Sequence, residues 1–174
     1  MKFEFDIQEE IGMLILVIEA IVLCVMFSVM VYIMSQEPLK TLYNYPPKIQ
    51  ERVKSLEMYK DKIPTTKKKV VVKVAFSIVV IVIISLVLRH INGYTTFIEG
   101  FGYGFLLWTI VNIYDAVVID ICWFCQNPRF VFEGTEDMVA EYHDYWFHIK
   151  ESLKGEVIAL VVCTIVGLVI HFVL

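Results

Sequence analysis

The sequence carries no Gly-x-Ser-x-Gly elbow, no His-Glu-x-x-His pair, no Walker loop and no dinucleotide fingerprint. Motif-borne hydrolase, zincin, nucleotide-cleaving and Rossmann chemistries therefore have no support. Cysteine is scarce: Cys24, Cys122, Cys125 and Cys163 all lie in or beside apolar runs. Cys24 and Cys163 read as small buried hydrophobes, and nothing suggests a secreted disulfide framework. The first ten residues are acidic and precede a long apolar run. A cleaved leader would show a basic start, a shorter apolar stretch and a small-residue cleavage site. The one basic loop lacks groove-like aromatic stacking, which argues against nucleic acid as a partner.

What the chain has in excess is apolar length. Its 174 residues are 58% hydrophobic, against about 45–50% in an average soluble domain. The excess falls in four runs, at about 11–34, 70–89, 97–125 and 155–174. The expected fold class is all-α: a polytopic membrane protein with four transmembrane helices plus two cytoplasmic amphipathic helices, in one domain. The lipid bilayer is the first partner this implies. At the helical rise, the first run covers about 36 Å, enough to cross with some tilt. The second run is rich in β-branched residues, but in lipid the backbone must satisfy its own hydrogen bonds, so a helix wins. The third opens with Gly100 and Gly104 in a GxxxG pattern, which predicts close helix packing.

Two polar segments, 35–69 and 126–154, separate the runs. In the first, Pro46 and Pro47 break the chain and allow it to re-enter a helix. Ile49, Val53 and Leu56 give that helix one apolar face, and Pro64 is expected to end it. In the second, Thr135 reads as an N-cap for a helix over 136–153, with Glu136 and Asp137 in its first turn. Val139, Tyr142, Trp146, Ile149 and Leu153 form its apolar stripe. Gly155 then allows a bend into the last span.

Lysine and arginine set the orientation. Residues 35–73 hold ten of them and 126–154 hold three, while only Lys2 and Arg89 lie on the other side. Positive-inside places both polar segments in the cytoplasm and both termini outside. The two segments also differ in sign. Residues 35–73 carry ten basic and four acidic groups, and 126–154 carry three and six. They are expected to dock on each other.

The residues most out of place are acids within apolar runs. Asn112, Asp115 and Asp120 lie on the third run, and at the α-helical pitch they span an arc of about 140°. One broad face can therefore turn all three into a bundle, with Glu19 of the first run as a fourth oxygen donor. Ionisable groups at such depth mark pathways or sites by default. The structural alternative pairs Asp120 with Lys73 and leaves Asp115 neutral and hydrogen-bonded across helices. A second set is cytoplasmic: Asp137, Glu141, Asp144 and His148 form an acidic stripe, with Asp144 and His148 at i, i+4. It reads either as a metal or acid/base site or as the wet face of a surface helix. Cys122 and Cys125 share a CxxC and lack an obvious second pair of zinc ligands. Arg89, His90, Glu99 and His171 form an outer set that reads as interfacial anchoring. Glu19 is too deep for that and could pair with Arg89 or His171.

The strings Asn44-Tyr45-Pro46-Pro47-Lys48-Ile49-Gln50-Glu51-Arg52-Val53 and Gly134-Thr135-Glu136-Asp137-Met138 stand out beside Asp115, Asp120 and Tyr142-His143-Asp144. Together they resemble a family of small bacterial four-span membrane proteins with no activity assigned. The resemblance covers most of the chain and implies a bacterial inner-membrane setting.

Three functions fit these expectations. One is an intramembrane site, open to the cytoplasm, that binds or moves a cation, a proton or a small polar solute through Asn112, Asp115, Asp120 and Glu19. Another is a membrane enzyme, acid/base or assisted by a divalent metal, using Asp120, Glu141, Asp144 and His148. The third is a non-catalytic subunit whose polar residues only join helices, in a homo-oligomer or with a partner membrane subunit.

Overall fold

The computed structural model describes residues 2–63 and 67–174, and the side chains of residues 10–63 and 77–174. Its elements are α1 (Lys2–Met34), α2 (Pro47–Ser55), α3 (Lys67–His90), α4 (Phe97–Tyr114), α5 (Val139–Tyr142) and α6 (Tyr145–Phe172). Among the described residues there is no strand. Three segments are long and apolar enough to cross a membrane: Glu10–Met34, Phe97–Phe124 and Val139–Phe172. The described apolar part of α3, Ser77–His90, is shorter than a span.

Helices α4 and α6 form the central pair, with α3 packed on α6 and α1 on α4. Small residues make this pairing close. Gly100 and Gly104 are buried on α4. A Cβ on Gly100 would sit 2.6 Å from Ile170 Cδ1 and 3.3 Å from the Gly167 Cα. On α6 the matching stripe is Gly155, Ala159, Cys163 and Gly167, one small residue every four. Without a hydrophobic drive between helices in lipid, such backbone approach is a main source of association. The GxxxG expectation thus acquires its partner surface. Leu88, Val166 and Ile170 seal one end of the bundle, with Tyr94 and Tyr103 against them. Thr96 and Glu99 close a reciprocal capping box at the start of α4, so Glu99 has a structural task. Gly93 supplies the positive φ, 76°, that turns the chain between α3 and α4.

At the other end a small cap covers the bundle. Leu42, Tyr45, Ile49, Val53, Phe130, Phe132 and Tyr142 form a second apolar core. Helix α2 begins at Pro47 and buries Ile49 and Val53, as its sequence predicts. It ends at Ser55, well before Pro64, which itself lies outside the described residues. Tyr142 ties the cap together: its hydroxyl accepts from Phe132 N at 3.0 Å and bonds Thr135 Oγ1 at 2.7 Å. The expected docking of the two oppositely charged segments is visible at the rim. Lys48 Nζ lies 3.2 Å from Glu141 Oε1, Arg52 lies 3.9 Å from Asp137, and Arg52 Nε donates to Gly134 O. These pairs are exposed, so they orient the segments more than they stabilise them.

The expected helix over 136–153 does not form. Thr135 is fully buried beneath Tyr142 and caps nothing. The chain makes one short turn, α5, breaks at His143, and restarts with Asp144 as the N-cap of α6, accepting from Phe147 N at 3.0 Å. From there α6 runs straight through Gly155. The restart rotates the face: Trp146 and Leu153 point outward, while His148 is buried. The predicted stripe is therefore inverted at the residue that matters most.

Candidate intramembrane site

The third apolar run changes register halfway along. Phe97–Tyr114 is α-helical, and Asp115–Phe124 is π-helical. The π register closes with Cys125 N donating to Asp120 O at 2.9 Å. In an α-helix, residues five apart diverge by about 140°. Bonding from i to i+5 widens the turn and brings them back onto one face. Asp115, Asp120 and Cys125 follow each other at intervals of five, so the π register stacks them on one face.

That face meets His148 from α6. His148 Nδ1 stands 3.0 Å from Asp120 Oδ2. The imidazole is 3% exposed, with the rings of Phe124 and Phe147 edge-on at 5.4 and 5.2 Å. Cys125 lies beside the same ring. The carboxylate fixes the ring orientation and holds the Nδ1 proton, which leaves Nε2 as the nitrogen that gains or loses one. Nε2 is buried and, among the described residues, has no hydrogen-bond partner. Asp115 is near enough to act electrostatically on both Asp120 and His148. It has no hydrogen-bond partner of its own among the described residues.

Asp120 and His148 line a cavity of about 90 Å³ where the bundle meets the cap. Ser35, Thr41 and Asn44 supply further polar lining, and Trp123, Phe124 and Phe130 supply aromatic walls. The space suits a few waters or one small solute.

The other expected site residues go elsewhere. Asn112 does not join Asp115. Its amide donates to Glu156 Oε1 at 2.6 Å and to Ser152 O at 3.0 Å, and Thr109 Oγ1 donates to Glu156 Oε2 at 3.0 Å. Glu19 does not join the set either, nor does it pair with Arg89 or His171. It accepts from Tyr103 Oη at 2.8 Å and Asn92 Nδ2 at 3.2 Å, toward the end of the bundle away from the cap. Arg89 instead donates to Leu174 O. Asp137 and Glu141 are taken by Arg52 and Lys48, and Asp144 by its cap, so the acidic stripe disperses and only His148 reaches the site. Cys122 is exposed while Cys125 is buried, so the two thiols do not converge. The expected Lys73–Asp120 pair lies outside the described side chains. Among the described residues, no three of His, Cys, Asp and Glu are placed to hold a metal ion.

Two groups escaped the sequence reading. Glu156 was hidden at the edge of an apolar run, although the four-residue spacing of Gly155, Ala159, Cys163 and Gly167 marks the face beside it. The π register has no simple signature in composition. In comparisons with known proteins, no family model, no curated protein and no solved structure matches this chain.

Proposed function

We propose that this chain is a four-span protein of a bacterial inner membrane that admits a small polar solute to the Asp120–His148 cavity and exchanges a proton with it. The fourth span in this reading is α3, which continues as a helix through Lys67–His90. The surplus of lysine and arginine in 35–73 puts the cap and the cavity on the cytoplasmic side. The observation that carries the reading is the dyad itself: a buried imidazole held by a carboxylate at 3.0 Å, on the wall of a cavity. Buried polar groups are normally satisfied, and a His–Asp pair with a free second nitrogen is the arrangement that relays protons. Asp115, stacked behind Asp120, serves as a second acceptor for the same proton.

The test is a panel of small cations, anions and neutral polar solutes, scored by thermal unfolding of the purified protein in detergent. At least one class should raise Tm in the wild type and leave Asp120→Asn and His148→Gln unmoved. A flat response to every class, with all three proteins folded, contradicts the reading.

A further inference from the structure

The lining of the cavity narrows the chemistry of its occupant. One side is a continuous aromatic surface: Trp123 meets Phe130 edge to face at 4.9 Å, and Phe124 meets Phe130 at 4.9 Å. Asp120 lies on the same lining. The hydroxyls of Ser35 and Thr41 donate to the carbonyls of Tyr32 and Pro38, at 2.7 and 2.9 Å, and so keep only acceptor capacity for an occupant. Together with Asp120 they offer chiefly acceptors, which suit a solute that donates hydrogen bonds better than one that must also accept them. An anion would face a carboxylate and the negative faces of aromatic rings. A small ammonium ion is attracted by both.

We propose that the cavity takes a small organic ammonium ion, of methylammonium size, between its aromatic walls and Asp120, and that its arrival displaces a proton from His148. The proposal rests on the dyad being a proton-exchanging site, as argued above. The charge balance is simple. Imidazolium and carboxylate form a neutral pair, the ammonium ion replaces the imidazolium as counter-ion, and the imidazolium loses one proton to the medium. One cation enters, one proton leaves, and no covalent bond between heavy atoms changes. The titratable neighbours are Asp115 and Cys125 on the π segment. The end of α1 and the turn at Pro38–Asn44 bring only uncharged residues to the cavity. Arg129, next to Phe130, is turned away to Gln36 Oε1 at 2.5 Å.

The experiment is titration calorimetry of the full chain in detergent with methylammonium chloride, in two buffers of different ionisation enthalpy. Saturable binding with release of about one proton is expected while the imidazole is protonated. Affinity should then fall about tenfold for each unit of acidification. Asp120→Asn should abolish binding, and Trp123→Leu, which leaves the dyad intact, should weaken it about tenfold. Methanol and formate are the neutral and anionic controls, and potassium chloride is the inorganic one. Binding of methanol or formate in place of methylammonium would overturn the ammonium assignment and leave the proton-exchange reading standing. Potassium competing as well as methylammonium would overturn the organic preference. Methylammonium binding without proton release would overturn the exchange and the reading beneath it.

Discussion

Glu156 and Asp120 are carboxylates on the same seam, between the third apolar run and α6, and they are treated in opposite ways. Glu156 sits beside the α-helical half of the third run and is saturated: Asn112 holds one oxygen and Thr109 the other. Glu19, toward the opposite end of the bundle, is satisfied in the same manner by Tyr103 and Asn92. Asp120 sits in the π-helical half, takes one buried histidine, and borders a cavity. The first pattern joins helices. The second leaves groups free to change state. The presence of an acid in a span therefore does not identify a site; the incompleteness of its partners does.

The sharpest way to break this contrast is to remove the π register. Deleting Ile121 returns the segment to α-helical spacing with Asp115 and Asp120 still five apart, and so swings them about 140° around the helix from each other. Solute-induced stabilisation should vanish entirely in a thermal-unfolding assay, while the Asn112–Glu156 junction above the deletion holds and helix content by circular dichroism stays close to the wild type.

Next in size is Asn112→Leu, which strands Glu156 with a single partner. Interhelical hydrogen bonds of this kind are worth about 1–2 kcal/mol, and a loss of that order is expected in detergent unfolding, with the solute response retained. Loss of the response alone would mean that the two halves of the seam are not separable.

The cap offers a matched pair of tyrosines. Tyr142→Phe leaves Phe132 N and Thr135 Oγ1 short of a partner and should cost about 1–2 kcal/mol. Tyr45 is fully buried, and its hydroxyl has no partner among the described residues, so Tyr45→Phe should be neutral or stabilising in the same unfolding assay. Burial pushes the Tyr45 and Tyr59 phenols above the usual tyrosine range. Folded phenols then stay protonated where unfolded ones ionise. Cap stability is complete below about pH 10 and falls as pH rises past it. Tyr45→Phe should flatten that alkaline fall.

The smallest effect is expected from Asp115→Asn. Asp115 has no hydrogen-bond partner among the described residues to lose, so unfolding should move by no more than about 0.5 kcal/mol. A large destabilisation would place Asp115 with the joining groups and not with the site.

Much of the frame was legible from the residues. Apolar run lengths gave four spans, and three segments long and apolar enough to cross a membrane are found among the described residues; Pro47 gave the start of α2, and Gly100 with Gly104 gave the close seam. Charge segregation anticipated Lys48 against Glu141. The site was legible only in part. Asp115 and Asp120 announced themselves by being acids in apolar runs, but their alignment depends on a π register that periodicity at 100° per residue does not contain. His148 was placed on a wet face because 136–153 reads as one uninterrupted helix. The fully buried Thr135 and the cap at Asp144 break it, and that break depends on tertiary contacts with Tyr142 and the cap core. Glu156 and Asn112 meet only because α4 and α6 run antiparallel at one particular offset, which is a property of two helices and not of either sequence.

The most direct test of the contrast uses Trp123, which lines the cavity, as its only reporter. In a background of Trp108→Phe and Trp146→Phe, its emission should shift as pH carries the dyad through protonation. That shift should disappear with Asp120→Asn and persist with Glu156→Gln. A shift that survives Asp120→Asn and is lost with Glu156→Gln would contradict the account.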